Sequence, residues 1–494
     1  MDAPALPPPP RQAATGNVPD GLDPRDWDAA SALAHRIVDD AVCHLRDVRD
    51  RPVWQPVPER VEALFSAPLP NQPMPAEDVY GLVRDNVLAY PMGNIHPRFW
   101  SWFMGSSNFT GALGDFLAAI QGSNLGGGSH AATLMDQQVV GWLRDMVGLP
   151  ASASGTLVSG GSMANLIGLT VARNAMAGID LREHGVAAME RPMRFYASDQ
   201  VHSCHRKAVE ALGLGNRALC RVASGPDCRI GIEALRAAIA LDRADGFQPA
   251  CIIGTAGTVN SGAVDDLSAL ADLAATEGLW FHVDGCIGAL IAIAPENAWR
   301  VKGIERADSV ALDPHKWLHA PFELGCALVR DRAKHRSTFA VSAEYLQKTA
   351  RGIAAGDWLY EYGLQTTRGF GALKLWMALM EHGVATFGRL IDRNIAQAAH
   401  LAALVKAQPA LELFAEPEIN IVCFRVAPRG YDEGRIKRTN LEIMLRLQET
   451  GVAALSDTTV RGKHWLRAAI CNHRTQVEDL DLLVREVLSA VPVN

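Results

Sequence analysis

Three short apolar runs constrain this chain most: Trp280-Phe281-His282-Val283-Asp284, Ser309-Val310-Ala311-Leu312 and Cys326-Ala327-Leu328-Val329. Continuous apolar runs of this length, without polar alternation, suit strands covered on both faces. Such strands belong to open α/β sheets, which gather ligands beyond the carboxyl ends of their strands. The first run closes there on a carboxylate, Asp284. The second leads into Asp313-Pro314-His315-Lys316-Trp317, a turn that offers a lysine amine before the third run begins.

An amine and a buried acid suit one kind of chemistry. The amine can hold an aldehyde as a Schiff base, and the acid can keep a pyridine nitrogen protonated so that its ring accepts electrons. Alone, a His-Lys pair is usually a solvated turn, and an Asp closing a strand is often a cap. Together, His282-Val283-Asp284 and the lysine of Asp313-Pro314-His315-Lys316-Trp317-Leu318, 32 positions on (316 minus 284), are specific. The combination resembles the group II pyridoxal-phosphate-dependent amino acid decarboxylases, and the resemblance runs from about Asp26 to the C-terminus.

That resemblance implies a fold-type I α/β architecture: a mostly parallel central sheet flanked by helices, an N-terminal helical segment and a small C-terminal α+β unit. It implies pyridoxal 5'-phosphate on Lys316 and decarboxylation of an L-amino acid to its amine. An aldehyde synthase, using the same parts but consuming oxygen, is the alternative. Fold-type I aminotransferases and sulfur-removing lyases share the Asp, the Lys and the Gly-rich loop, so the cofactor is read more directly than the reaction.

The other candidate residues follow in chain order. Trp102 and Phe103, in the dense aromatic cluster Phe99-Trp100-Ser101-Trp102-Phe103, match a segment lining the substrate site in the family. They favour an aromatic substrate. Asn124, ahead of Gly126-Gly127-Gly128, matches a contact reaching the other subunit's site. Ser159-Gly160-Gly161-Ser162 has the composition of a phosphate cradle: glycines that let amides approach an anion, then a helix start and a hydroxyl. Met163 departs from the family's usual acidic residue, and Val259 from a threonine. His202 matches a histidine that stacks on the cofactor ring, and His315 joins the cofactor set beside Lys316. Arg368 matches an arginine counted here with the substrate contacts. Tyr345, 29 positions after Lys316 (345 minus 316), matches a loop tyrosine that protonates Cα. Aldehyde-forming members carry Phe there.

Length and charge bound the rest. A chain of 494 residues, 48% hydrophobic and 20% charged, supports a large core and more than one domain. A formal charge of −7 without a Lys/Arg run gives nucleic acid or an anionic membrane no footprint, so a small-molecule substrate is expected. The nine cysteines are scattered without zinc spacing, so no metal is expected and reduced thiols in the cytoplasm fit. The apolar run Cys286 to Ala294 is too short to span a bilayer, and no leader is read at the N-terminus.

The expected organisation is a flexible Pro-rich tail (1–24), a helical dimerisation segment of a homodimer (25–104), a large cofactor domain (105–388) and a small C-terminal domain (389–494). A helical stripe starts at Trp27, a second helix covers Val61 to Leu64, and two helices flank Gly126–Gly128. A helix covers Leu166 to Asn174, with strands at Phe195–Ser198 and Ala250–Gly254. Phe339 to Tyr362 reads as a mobile loop. Strands at Asn420–Phe424 and Trp465–Ile470 and a last helix, Val477 to Val491, complete the chain.

Overall fold

In the computed structural model, which describes residues 21–341 and 347–491, seven strands form the main sheet. They are β1 (Ser154–Val158), β2 (Met193–Ser198), β3 (Leu219–Val222), β4 (Gln248–Thr255), β5 (Trp280–Asp284), β6 (Ser309–Leu312) and β7 (Gly325–Val329). Their order is β1-β7-β6-β5-β4-β2-β3. β3, β2, β4, β5 and β6 pair in parallel, whereas β7 is antiparallel to both neighbours. Parallel strands need crossovers; the helices Ser203–Ala211, Ile232–Ala244 and Leu267–Glu277 supply those from β2 to β5, and three 3₁₀ turns between Ala289 and Arg306 carry the chain from β5 to β6. β6 and β7 are joined by a segment with only one short helical turn, Pro314–Trp317, and so the chain returns antiparallel.

Every residue of β5, β6 and β7 is buried, which explains their unbroken apolar runs. Two cores result. Phe281, Leu235, Leu270 and Leu312 fill one, while Ile167 and Leu169, from the helix Gly161–Met176, meet Phe195 and Ile253 in the other. Burying one such phenylalanine contributes about 1.5–3 kcal/mol.

A second sheet, all antiparallel, has the order β10-β11-β9-β8, from β8 (Leu411–Leu413), β9 (Ile421–Val426), β10 (Ser456–Val460) and β11 (Lys463–Ala469). The β10–β11 turn is Arg461-Gly462, with φ of +53° and +73°, the left-handed pair that matches hairpin twist. The helices Val384–Lys406, Glu433–Glu449 and Val477–Ser489 contribute buried residues to this unit. Val384–Lys406 runs without a break through position 389, where a domain boundary was expected.

The expected N-terminal helix is Trp27–Arg46, opened by Asp26, whose Oδ1 accepts from the amides of Asp28 and Ala29 at 3.0 Å. None of its residues is buried; Trp27, Ile37, Val38 and Val42 of its apolar stripe are exposed. The helix Ala76–Asn86 was not anticipated; it leans on the first helix through Arg36–Glu77 and Tyr80–Asp40. Most of the expected tail, and Tyr345, lie outside the described residues. No described helix is long and apolar enough to cross a membrane.

Candidate active site

β5 delivers Asp284 to the end of the sheet with 5% of its surface exposed. Its Oδ2 accepts from His205 Nε2 at 2.8 Å and its Oδ1 from the Cys286 amide at 3.2 Å. Burial pushes the carboxyl upward, but the His205 hydrogen bond and charge, with the Cys286 side chain and amide, outweigh it. Asp284 is held well below the usual carboxylate range, and therefore ionised.

Lys316 sits in the short helical turn after β6, its Nζ 2.8 Å from Asp313 Oδ2. Burial disfavours its charge, yet the Asp313 carboxylate more than compensates and raises the amine above the ordinary lysine range. Asp313 Oδ1 is buried without a hydrogen-bond partner among the described residues. The Lys316 amine also lies 5.8 Å from the centre of the Phe103 ring.

The chain leaves β1 at Val158 and enters the helix Gly161–Met176 through Ser159 and Gly160. A Cβ on Gly161 would fall 2.4 Å from Cys286 Sγ and 2.7 Å from Asp313 Oδ2, so a larger residue has no room. In the first turn the amides of Met163 and Ala164 close on the Gly160 carbonyl at 3.0 Å, which leaves those of Gly161 and Ser162 at the positive end of the helix dipole. Asp313 stands against the same glycine, and Lys316 neutralises it there.

A cavity of about 650 Å³ joins these pieces. Trp102, Phe103, Gly160, Gly161, Ser162, His202, Asp284, His315 and Lys316 all line it, as do Met163 and Val259. His202 caps the helix Ser203–Ala211, its Nδ1 accepting from the Cys204 amide at 3.2 Å, so the helix-cap role and the cavity-facing position coexist. His315 hydrogen-bonds the Leu324 carbonyl at 2.7 Å, and burial lowers its basicity. Trp102 adopts a left-handed backbone, φ +54°, held by Ser456 Oγ on its amide at 3.2 Å and by Arg467 on its carbonyl at 2.5 Å. The small C-terminal unit thus fixes an aromatic wall of the site.

Asn124 and Arg368 are not brought into this cavity. They line a second one of about 600 Å³, which shares Ser159 with the first. Arg368 is 2.7 Å from Asp136 Oδ2 and donates to Thr156 Oγ1 at 2.8 Å, while Asn124 Oδ1 accepts from the amides of Gly126 and Arg368 at 3.0 Å. Both side chains are committed to holding loops.

His205 and Asp313 were missed in the sequence, though each carries a signal. His202 and His205 stand three apart at a helix start, and Asp313 and Lys316 three apart in a helical turn, the spacing that puts side chains on one face. Beneath them, Trp280 Nε1 donates to Ser309 Oγ, and His282 bridges Ser309 Oγ and Asn165 Oδ1, all at 2.8 Å. Burial pushes His282 down to about 3, so it is neutral and structural. Among the described residues, Cys204, His205 and Asp284 are close enough to share a metal ion. Burial pushes the Cys204 thiol up, however, and His205 already occupies the carboxylate, so this trio makes a poor ligand set.

Comparison with known proteins agrees with this geometry. The model of the pyridoxal-dependent decarboxylase conserved domain matches residues 58–427. The aromatic-L-amino-acid decarboxylase of Bacillus atrophaeus is 33% identical over 454 residues, covering 91% of this chain and 92% of its own. The phenylacetaldehyde synthase of Arabidopsis thaliana is 29% identical over 467 residues, covering 91% and 93%. The crystal structure of Oryza sativa TDC with PLP and tryptamine superposes with a TM-score of 0.87 at 27% identity, over 95% of this chain and 99% of that one. With a catalytic-type lysine, a buried carboxylate and a glycine cradle meeting in one cavity, and a family model spanning most of its length, the chain belongs to the pyridoxal-dependent decarboxylase family.

Proposed function

We propose that this enzyme converts an L-amino acid with an aromatic side chain into the corresponding amine and carbon dioxide, with Lys316 as the residue that carries the cofactor. The observation supporting this most is the convergence of Lys316, Asp284 and the Gly160–Gly161 cradle on one cavity walled by Trp102 and Phe103.

Pyridoxal 5'-phosphate fits these residues: the crowded Gly161 leaves backbone amides for a phosphate, and the ionised Asp284 suits a pyridinium. When bound, the cofactor supplies an aldehyde that an amine can join and a ring that takes up the electron pair left as carbon dioxide departs. The protein's residues do the rest. Asp313 keeps the Lys316 amine charged and in place, at 2.8 Å, until a proton must leave it. Asp284 holds negative charge at the floor of the site, and His202 covers the cavity from the helix start beside it. Trp102 and Phe103 orient a flat side chain and exclude water.

Tyr345, outside the described residues, is the residue we assign to return a proton to the substrate Cα, on its sequence position 29 after Lys316. Asn124 and Arg368, which line the neighbouring cavity, are assigned to holding its walls rather than to the substrate.

A homodimer is part of the proposal. The exposed Trp27, Ile37, Val38 and Val42 on the first helix, and Phe116, Leu117 and Ile120 on the helix Phe109–Gln121, are the apolar side chains this reading offers to a second copy. Nine free cysteines suit the reducing cytoplasm.

The test is a panel of aromatic, acidic and aliphatic L-amino acids given to the purified protein with pyridoxal phosphate, reading carbon dioxide and amine. Release of both from aromatic substrates is expected. Release from acidic or aliphatic substrates alone contradicts the assigned substrate class.

A further inference from the structure

His205 has no part in the steps above, yet its surroundings are those of a working group. It is fully buried, and its Nε2 lies 2.8 Å from Asp284 Oδ2. Because a carboxylate only accepts, Nε2 carries the hydrogen. Its other nitrogen, Nδ1, is buried with no hydrogen-bond partner among the described residues. Leaving a polar atom so carries a desolvation penalty that an apolar residue of similar size would avoid. Packing alone therefore does not favour a histidine here. The half of the ring that is satisfied points at the carboxylate lining the cavity.

The elements around the pair supply no substitute. His282, on β5 with Asp284, has its ring centre 6.1 Å from that of His205, and both its nitrogens are engaged by Ser309 and Asn165. Cys204, beside His205 on the helix, is held protonated by burial. The Cys286 amide reaches only Oδ1, at 3.2 Å. His205 is thus the strongest side-chain partner of the carboxylate among the described residues, ahead of the Cys286 side chain.

We propose that His205 is a positioning residue: it donates Nε2–H to Asp284 and so fixes the carboxylate that faces the cofactor's ring nitrogen. The inference rests on the reading of Asp284 as the cofactor's counter-charge. Without the imidazole, Asp284 is free to rotate or take up a proton, and its grip on a pyridinium weakens.

Two variants separate this role from packing: His205→Phe removes the donor and keeps the bulk, and His205→Gln keeps a donor. Pyridoxal phosphate affinity is read by quenching of tryptophan fluorescence in the apoprotein. A charge-assisted hydrogen bond of about 1.5–3 kcal/mol corresponds to roughly a 10- to 100-fold loss of affinity in His205→Phe. His205→Gln is expected to recover most of it, and kcat in His205→Phe to fall with little change in KM.

A cofactor-free measurement stands beside it. In thermal unfolding of the apoprotein, His205→Phe, Asp284→Asn and the double variant form a cycle, and the double is expected to lose less than the sum of the singles. If His205→Phe does not fold, His205→Leu takes its place in the cycle. Additive losses, or equal loss of affinity in the Phe and Gln variants, overturn the proposal. A coupled cycle with wild-type cofactor affinity in His205→Phe would keep the pair but contradict the cofactor role of Asp284.

Discussion

Asp313 Oδ2 lies 2.8 Å from Lys316 Nζ, within one helical turn, and Asp313 is only 3% exposed. On the proposed reading this lysine must act as a nucleophile, and it stands as an ammonium with a buried counterion. The carboxylate holds the amine beside the glycine cradle, and a proton has to leave before the amine can bond to carbon.

Removing the lysine is accordingly expected to do two things. Lys316→Ala should abolish turnover and the visible absorption of the cofactor-loaded protein. It should also destabilise the apoprotein by about 3 kcal/mol, because it strands a buried carboxylate. Denaturant unfolding checks the second effect, and Lys316→Ala/Asp313→Ala should recover most of the loss. Full colour in Lys316→Ala would mean another amine holds the cofactor.

Asp284 leads to a pH prediction. Its folded value is depressed below that of the unfolded chain, so the stability from its ionisation is full above about pH 4 and is lost as pH falls toward the folded value. Asp284→Asn should therefore lower the apoprotein Tm near neutral pH, and the gap from wild type should narrow progressively below about pH 4. A gap that widens in acid would contradict the ionised assignment. Turnover of Asp284→Ala should fall far more than its cofactor binding.

The legibility of the chain followed sequence distance. β5, β6 and β7 were readable because both faces are buried and the apolar runs are local. Asp284 and Lys316 were readable because strand ends are where such sheets put ligands. The His205–Asp284 bond spans 79 positions and depends on how one helix docks under β5, which no local pattern encodes. Arg368 was grouped with the substrate contacts, but its partner Asp136 is 232 positions away, and only the folded chain brings that ion pair together. The helix Ile232–Ala244 escaped notice because only Leu235 and Ile239 of it are buried.

Arg368→Ala should accordingly behave as a structural lesion. Losing one partner of a buried pair costs about 3–5 kcal/mol, so a large fall in Tm is expected with substrate KM changed by less than about threefold. A KM increase of more than about tenfold at intact stability would make Arg368 a substrate contact instead.

Trp27→Glu or Val38→Glu puts charge into the exposed stripe of the first helix. Light scattering should show the wild type as a dimer and these variants shifted toward monomer, with lower specific activity on dilution. A fully active monomeric wild type would remove the dimer from the account.

Tyr345→Phe tests the proton donor. Amine formation should slow, and aldehyde, ammonia and peroxide should rise with the same substrate. Identical product ratios in the variant would take that role from Tyr345.

The most direct test of the central claim is the fate of Cα in the unmutated enzyme. With an aromatic L-amino acid in deuterium oxide, amine is expected to match carbon dioxide mole for mole and to carry a single deuterium on the carbon that lost the carboxylate. Aldehyde and peroxide as the main products, or amine lacking that deuterium, would contradict it.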